Sequence, residues 1–194
     1  NLNGKTYSIS FWGKWNTTPS SSVFFWSQSS ANSPGSTVVF QYEPVNNCLR
    51  FSHYGSGNDL DTTGYNISSM IGTNWHHYVA TYNNTNRGAE IYFDGVKLNT
   101  NISTVTNSFS GSGSFTISKW ITGNSNTFNG LMEDFRYYDK VLTSAEISQL
   151  YSIPVQNTYT LNFPVPTLTD INNNSNIVLN GAYDISLSTS NYLI

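Results

Sequence analysis

The strongest constraint in this chain is a period of two. In TYSISFWGKW (6–15), Tyr7, Ile9 and Phe11 alternate with Ser8, Ser10 and Trp12. Successive side chains of an extended strand point to opposite faces, so such alternation marks a strand with one side turned to a core. The same reading applies to SVFFWS, STVVFQY, CLRFSHY, HHYVATY, GAEIYFD, VKLNTNI, SFTISKW and GLMEDFRYY, each bounded by clusters of Ser, Asn, Gly or Pro. FSGSGSF and ITGNSNTFNG read as loops. A helical period emerges only in VLTSAEISQLY. There Thr143 and Glu146 form a Thr-x-x-Glu capping box, and Ala145, Ile147, Leu150 and Tyr151 fit about two turns before Pro154 ends them. Many short strands, one short helix near residues 143–151 and no strand–helix–strand alternation predict an all-β fold, a two-sheet antiparallel sandwich.

Composition narrows the function classes. Aromatic residues make up 15% of the 194 residues and charged residues 10%, which suits one large all-β domain filled with rings. The net charge of -3 and the lack of a basic run argue against nucleic acid or an anionic membrane as the main partner. No run of ~18 apolar residues offers membrane insertion. One cysteine, Cys48, forbids an internal disulfide and reads as a small buried apolar residue. Asn-x-Ser/Thr sequons at Asn16, Asn66, Asn83, Asn101 and Asn173 are compatible with a surface protein. The opening NLNGKTYSISFW begins in mid-pattern, as expected of a piece of a longer chain.

Two of the three histidines are adjacent, in WHHYVATY. On a strand, His76 shares a face with Tyr78, Ala80 and Tyr82, whereas His77 shares the other with Trp75, Val79 and Thr81. A metal pair needs both imidazoles on one side, so one histidine is expected to cap the core and the other to sit near solvent. Asp94-Gly95, between IYF and VKL, is a type I′ hairpin signal, which makes Asp94 a turn residue first.

The blocks SISFWGKW, WHHYVATY with EIYFDGVKL, and Gly130 to Tyr151 (GLMEDFRYYDKVLTSAEISQLY) resemble the laminin-G-like jelly-roll domains of the concanavalin A-like lectin/glucanase superfamily. They stand in that family's order across roughly residues 5–152. The resemblance implies a jelly roll of two antiparallel sheets that mostly binds glycans or proteins, often with calcium, a minority of relatives hydrolysing β-glucans. The segment expected before the first of these strands is missing from the N-terminus. The tail instead, YTLNFPVPTLTDINNNSNIVLNGAYDISLSTSNYLI, resembles it. The body is thus 1–152. The tail, 153–194, is expected to complete the same sandwich, to begin a further unit, or to exchange with a neighbouring copy.

Catalysis finds little support. The glucanase pattern places acidic residues at alternating positions of one strand, so that acid and nucleophile share a face. Here Glu133 and Asp134 are adjacent and no E-x-D-x-E occurs. Asp134 and Arg136 share parity and read as an ion pair. Two oxygen-rich clusters are candidate calcium sites: Asn58, Asp59 and Asp61 in a loop beside Tyr54, and Asp170, Asn172 and Asn174 in TDINNNSN. Candidate glycan platforms are aromatics at strand ends or in polar loops, Trp15, Tyr54, Trp120 and Phe128. The leading expectation is a non-catalytic recognition or adhesion module, binding glycan or protein outside a cell or on a cell or virion surface, with calcium possible but not required. A structural repeat or decoration unit of a fibre, capsid or surface layer comes second, its tail joining neighbours, and a glycoside hydrolase third.

Overall fold

A computed structural model describes residues 1–31, 33–55, 59–120 and 126–152. Ten strands and two helices follow in the order β1 (Tyr7–Trp15), β2 (Val23–Ser29), β3 (Thr37–Glu43), β4 (Cys48–Ser52), β5 (Asp59–Asp61), α1 (Ile67–Met70), β6 (Trp75–Tyr82), β7 (Ala89–Phe93), β8 (Val96–Lys97), β9 (Phe115–Ile117), β10 (Gly130–Tyr138) and α2 (Ser144–Ser152). They form two five-stranded sheets, ordered β10-β1-β6-β7-β8 and β5-β4-β3-β2-β9, with every strand pair antiparallel. The expected all-β jelly-roll sandwich is therefore what the chain builds. Every segment read as a strand contains one, though VKLNTNI and SFTISKW keep only two and three paired residues. The single turn α1 and the short β5 carry no alternation that announces them.

The core follows from the alternation. Tyr7, Ile9, Phe11 and Trp15 of β1 pack with Val38, Phe40 and Tyr42 of β3, Leu49 and Phe51 of β4, and Tyr78, Ala80 and Tyr82 of β6. Rings dominate: Phe11 stacks on Tyr78 with centroids 5.1 Å apart, and Trp15 meets Phe128 edge-on at 4.5 Å. Such edge and offset contacts add to the apolar burial that drives the two sheets together.

Two bulges break the period. Between Phe24 and Trp26 the pairing with β3 slips by one residue: Phe24 faces Gln41, but Trp26 faces Phe40. Strict alternation would send Phe24 and Trp26 to one side. The extra residue instead puts both Phe25 and Trp26 into the core and leaves Phe24 outside it. The second bulge, between Ser10 and Trp12, falls opposite Asp134, whose φ is +51°. Asp134 then holds Arg136 at 2.6 Å, the expected ion pair, half-exposed at an edge strand.

The outer face of the first sheet is sealed by α2. Leu142 and Ile147 lie on Val79 and Tyr92 as a second apolar cluster. The capping box forms as read: Glu146 N–H donates to Thr143 Oγ1 at 3.2 Å, and Thr143 N–H donates to Glu146 Oε2 at 2.8 Å. Lys140, the Thr143 backbone N–H and the Thr143 hydroxyl hold the Glu146 carboxyl down to about 2. Buried Ser8 pins the approach to α2, donating to the Lys140 carbonyl and accepting from Leu142 N–H. The expectation for the tail, 153–194, lies outside the described residues.

Candidate functional site

The histidine pair divides between the two faces of β6, as the alternation requires, but the buried imidazole is on the outer face and not at the core. His77 is 1% exposed, lies under Tyr151 on the outer face of the first sheet, and bonds Ser10 through Nε2 at 2.8 Å. His76 is half-buried and meets Asp94 through Nδ1 at 2.8 Å. Asp94 and Gly95 both have positive φ, +49° and +76°, as a type I′ turn requires. The Asp94 carboxylate also accepts the His77 backbone N–H at 2.8 Å, so it ties the turn to the strand. No group of three or more His, Cys, Asp or Glu among the described residues is arranged to hold a metal ion.

The site that the fold does assemble lies on the outer face of the second sheet, a cavity of about 430 Å³. Its floor is a cross-strand ladder. Phe24, Gln41, Arg50 and Asp61 sit opposite one another across β2, β3, β4 and β5, and Val39, Ser52 and Asp59 form the adjoining rung. These positions face outward because their neighbours Phe40, Leu49, Phe51 and Leu60 face the core. One wall is aromatic. Trp120 lies against Phe24 with centroids 4.6 Å apart and meets Tyr54 at 6.4 Å, nearly perpendicular. Ser118, with φ +59°, turns the chain out of β9, and its N–H donates to the Phe25 carbonyl at 2.7 Å. The Lys119 carbonyl accepts the Ser27 hydroxyl at 2.9 Å. Trp120 is thus carried on anchored backbone. Tyr54 is held likewise, its carbonyl accepting Gly35 N–H at 2.8 Å.

Arg50 organises the floor. Its Nε and Nη2 grip both oxygens of Asp61 at 2.6 and 2.7 Å, and Nη1 faces Asp59 at 3.2 Å and Glu43 at 3.9 Å. The Asp61 bonds first, and then the Asp59 and Asp61 charges, raise the guanidinium further above its already high range against the pull of burial. Beside it, Ser52 is 2% exposed and its hydroxyl has no hydrogen-bond partner among the described residues. A buried hydroxyl left alone is uncommon and invites a partner from outside the protein.

The sequence-level candidates separate accordingly. Tyr54, 39% exposed, and Trp120 come together on this wall. Trp15 and Phe128 do not join them: both are buried in the core, Trp15 donating from Nε1 to the Tyr78 hydroxyl at 3.0 Å. Parity carried this signal for Trp15, which follows Tyr7, Ile9 and Phe11 at even spacing. Asp59 and Asp61 occupy strand β5, not the loop expected of them, and both carboxylates turn to Arg50. Asn58, Asp170, Asn172 and Asn174 lie outside the described residues. Phe24, Gln41, Arg50 and Ser52 went unnoticed in the sequence. The outward polar positions of VVFQY and CLRFS were visible, but their juxtaposition needs the register, and Phe24 needs the bulge.

The fold and this face define a jelly-roll β-sandwich with an aromatic-walled cavity on its open sheet. The chain belongs to the concanavalin A-like lectin/glucanases superfamily, whose family pattern matches residues 1–148. No curated protein matches the chain significantly in sequence. Among solved structures it is similar to a putative carbohydrate binding protein from Bacteroides ovatus, with 13% identity, a TM-score of 0.57 and coverage of 75% of this chain and 40% of that one. It is similar to domain 4 of AbnA, an extracellular arabinanase from Geobacillus stearothermophilus solved with arabinotriose, at 22% identity and TM-score 0.52, covering 76% of this chain and 66% of that one. A Trypanosoma rangeli sialidase in complex with 2,3-difluorosialic acid matches at 16% identity and TM-score 0.56, covering 76% of this chain. The chain spans about a quarter of the sialidase, 23%, and under half of the Bacteroides protein.

Proposed function

We propose that this chain is a non-catalytic glycan-recognition module acting outside a cell or on a cell or virion surface. The observation that carries the reading is the Ser52 hydroxyl, without a hydrogen-bond partner among the described residues and set in the floor of a cavity whose wall is Trp120, Phe24 and Tyr54. A sugar ring offers C–H faces to an aromatic wall and hydroxyls to a polar floor, and the cavity is of the size that small ligands use. The similar structures, one described as a carbohydrate binding protein and one a domain solved with arabinotriose, support it. Binding rather than hydrolysis is favoured because Glu43, Asp59 and Asp61 converge on one guanidinium instead of standing apart across an open cleft. Arg50 already neutralises part of this carboxylate cluster, so calcium is not needed for the floor to hold together. A glycan array probed with the full chain, with and without EDTA, tests the reading. Binding is expected in both buffers and is expected to weaken by about tenfold or more in Trp120→Ala. No binding to any printed glycan would overturn it.

A second reading, a structural repeat or decoration unit, has its own observation. β9 and β10 each lack a neighbour on one side among the described residues, and Phe115 and Phe135 meet across them at 6.0 Å. Phe115, Ile117 and Tyr137 are 38%, 48% and 49% exposed there. Such a side invites a further strand. Residues 153–194, from this chain or a neighbouring copy, are the proposed occupant.

A further inference from the structure

We infer that the cavity selects glycans that carry no carboxylate or sulfate group, an inference that rests on the glycan reading above. The charge on the page decides it. Among the described residues Arg50 is the one cationic side chain lining the cavity, and three carboxylates face it, those of Asp61, Asp59 and Glu43. Of the three, Asp59 lines the cavity while Asp61 and Glu43 stand beside the guanidinium, so the charge around Arg50 is one positive against three negative. Lys119, adjacent to Trp120 in the chain, does not line the cavity. The stretches that follow Gly55 and Trp120, 56–58 and 121–125, contain no charged residue.

Geometry points the same way. Recognition of a sugar carboxylate or sulfate relies on a guanidinium fork that offers two parallel N–H donors. Here that fork, Nε and Nη2, is closed on both oxygens of Asp61 at 2.6 and 2.7 Å. The remaining nitrogen is turned to Asp59 and Glu43. An incoming anion would have to displace an internal carboxylate and would leave it buried beside two others, a costly exchange where the Arg50 side chain is only 19% exposed. Sugar hydroxyls face no such conflict. Asp59, with a side chain 42% exposed, accepts hydroxyl hydrogens, and Ser52 Oγ takes a partner of either polarity.

The test is an array printed with matched cores in neutral, sialylated, uronate-bearing and sulfated forms, followed by calorimetric titration of each binding core and its anionic counterpart with the full chain. The neutral forms are expected to bind about tenfold or more tightly than their anionic counterparts, and the gap is expected to narrow in 0.5 M NaCl (roughly a 4 Å Debye length). In Asp59→Asn, which leaves the Arg50–Asp61 pair in place, the gap is also expected to narrow. Anionic forms that bind as well as or better than the neutral ones would overturn the inference while leaving glycan recognition standing. A gap unmoved by both salt and Asp59→Asn would overturn its charge basis. Silence across the whole array would remove the underlying reading and this inference together.

Discussion

His53 and His77 are the two imidazoles that the sandwich closes over. His53 bonds the Asn107 carbonyl through Nδ1 at 3.0 Å and lies 3.4 Å from the Tyr7 hydroxyl at Nε2. Burial pushes each histidine down to about 4, a pull that the Asn107 bond opposes for His53 and the Asp94 and Asp134 charges oppose for His77. Unfolded, each titrates near its ordinary value of about 6.5. Between these values the unfolded chain binds protons that the native one refuses. The stability is therefore fully present above pH 6.5 and is lost as the pH falls towards 4, by about 1.4 kcal/mol per pH unit for each histidine at the steepest part. Urea midpoints measured from pH 7.5 to 4.5 should drop in the wild type and flatten in His53→Gln/His77→Gln; equal slopes in both would refute the assignment. The tryptophans make a second contrast at this scale. Trp15→Ala removes a core ring and is expected to cost about 3–5 kcal/mol. Trp120→Ala is expected to spare the melting temperature and strike binding alone, a split that thermal melts and titration read side by side.

Among the elements, α2 is the best-specified and the most easily unseated. It touches the first sheet through Ile147, with Leu142 just ahead of it in the same cluster, and is started by the reciprocal Thr143–Glu146 bonds. Thr143→Ala should cost about 1 kcal/mol, and Ile147→Ala about 2–5 kcal/mol. Hydrogen exchange should then quicken in α2 and at Val79 and Tyr92 beneath it while β3 and β4 keep their protection; uniform loss across both sheets would mean that α2 is no separate unit. The cap was legible because its four residues are contiguous. The strands were legible because half of each turns inward. β5 was not, since Asp-Leu-Asp shows one apolar residue and looks like an oxygen cluster until Arg50 is set opposite. Nor was the bulge at Phe25, which a register slip creates and no residue type marks. Trp15 stands in step with Tyr7, Ile9 and Phe11, so parity marks it as core, whereas Trp120 lies beyond the end of β9 and only a distant partner, the Phe24 ring, makes it wall.

At the scale of the molecule, the two sheets have different fates. Among the described residues, α2 packs on one outer face, the other holds the cavity, and β9 and β10 each lack a neighbour on one side. If residues 153–194 fill that side from a neighbouring copy, light scattering on the full chain should give a mass that grows with concentration, and a chain ending at residue 152 should be monomeric. A monomer in both cases, equally stable to heat, would sink the joining role. Cys48, the single thiol of the chain, opens β4 at 1% exposure, and burial first, with the Asp61 charge second, pushes it up to about 12. Neither thiolate nor access is available while the sandwich is closed, so an alkylating reagent can reach sulfur only when the domain opens. The rate at which iodoacetamide consumes this one atom at neutral pH is then a clock for spontaneous opening, readable by mass spectrometry without any engineered label.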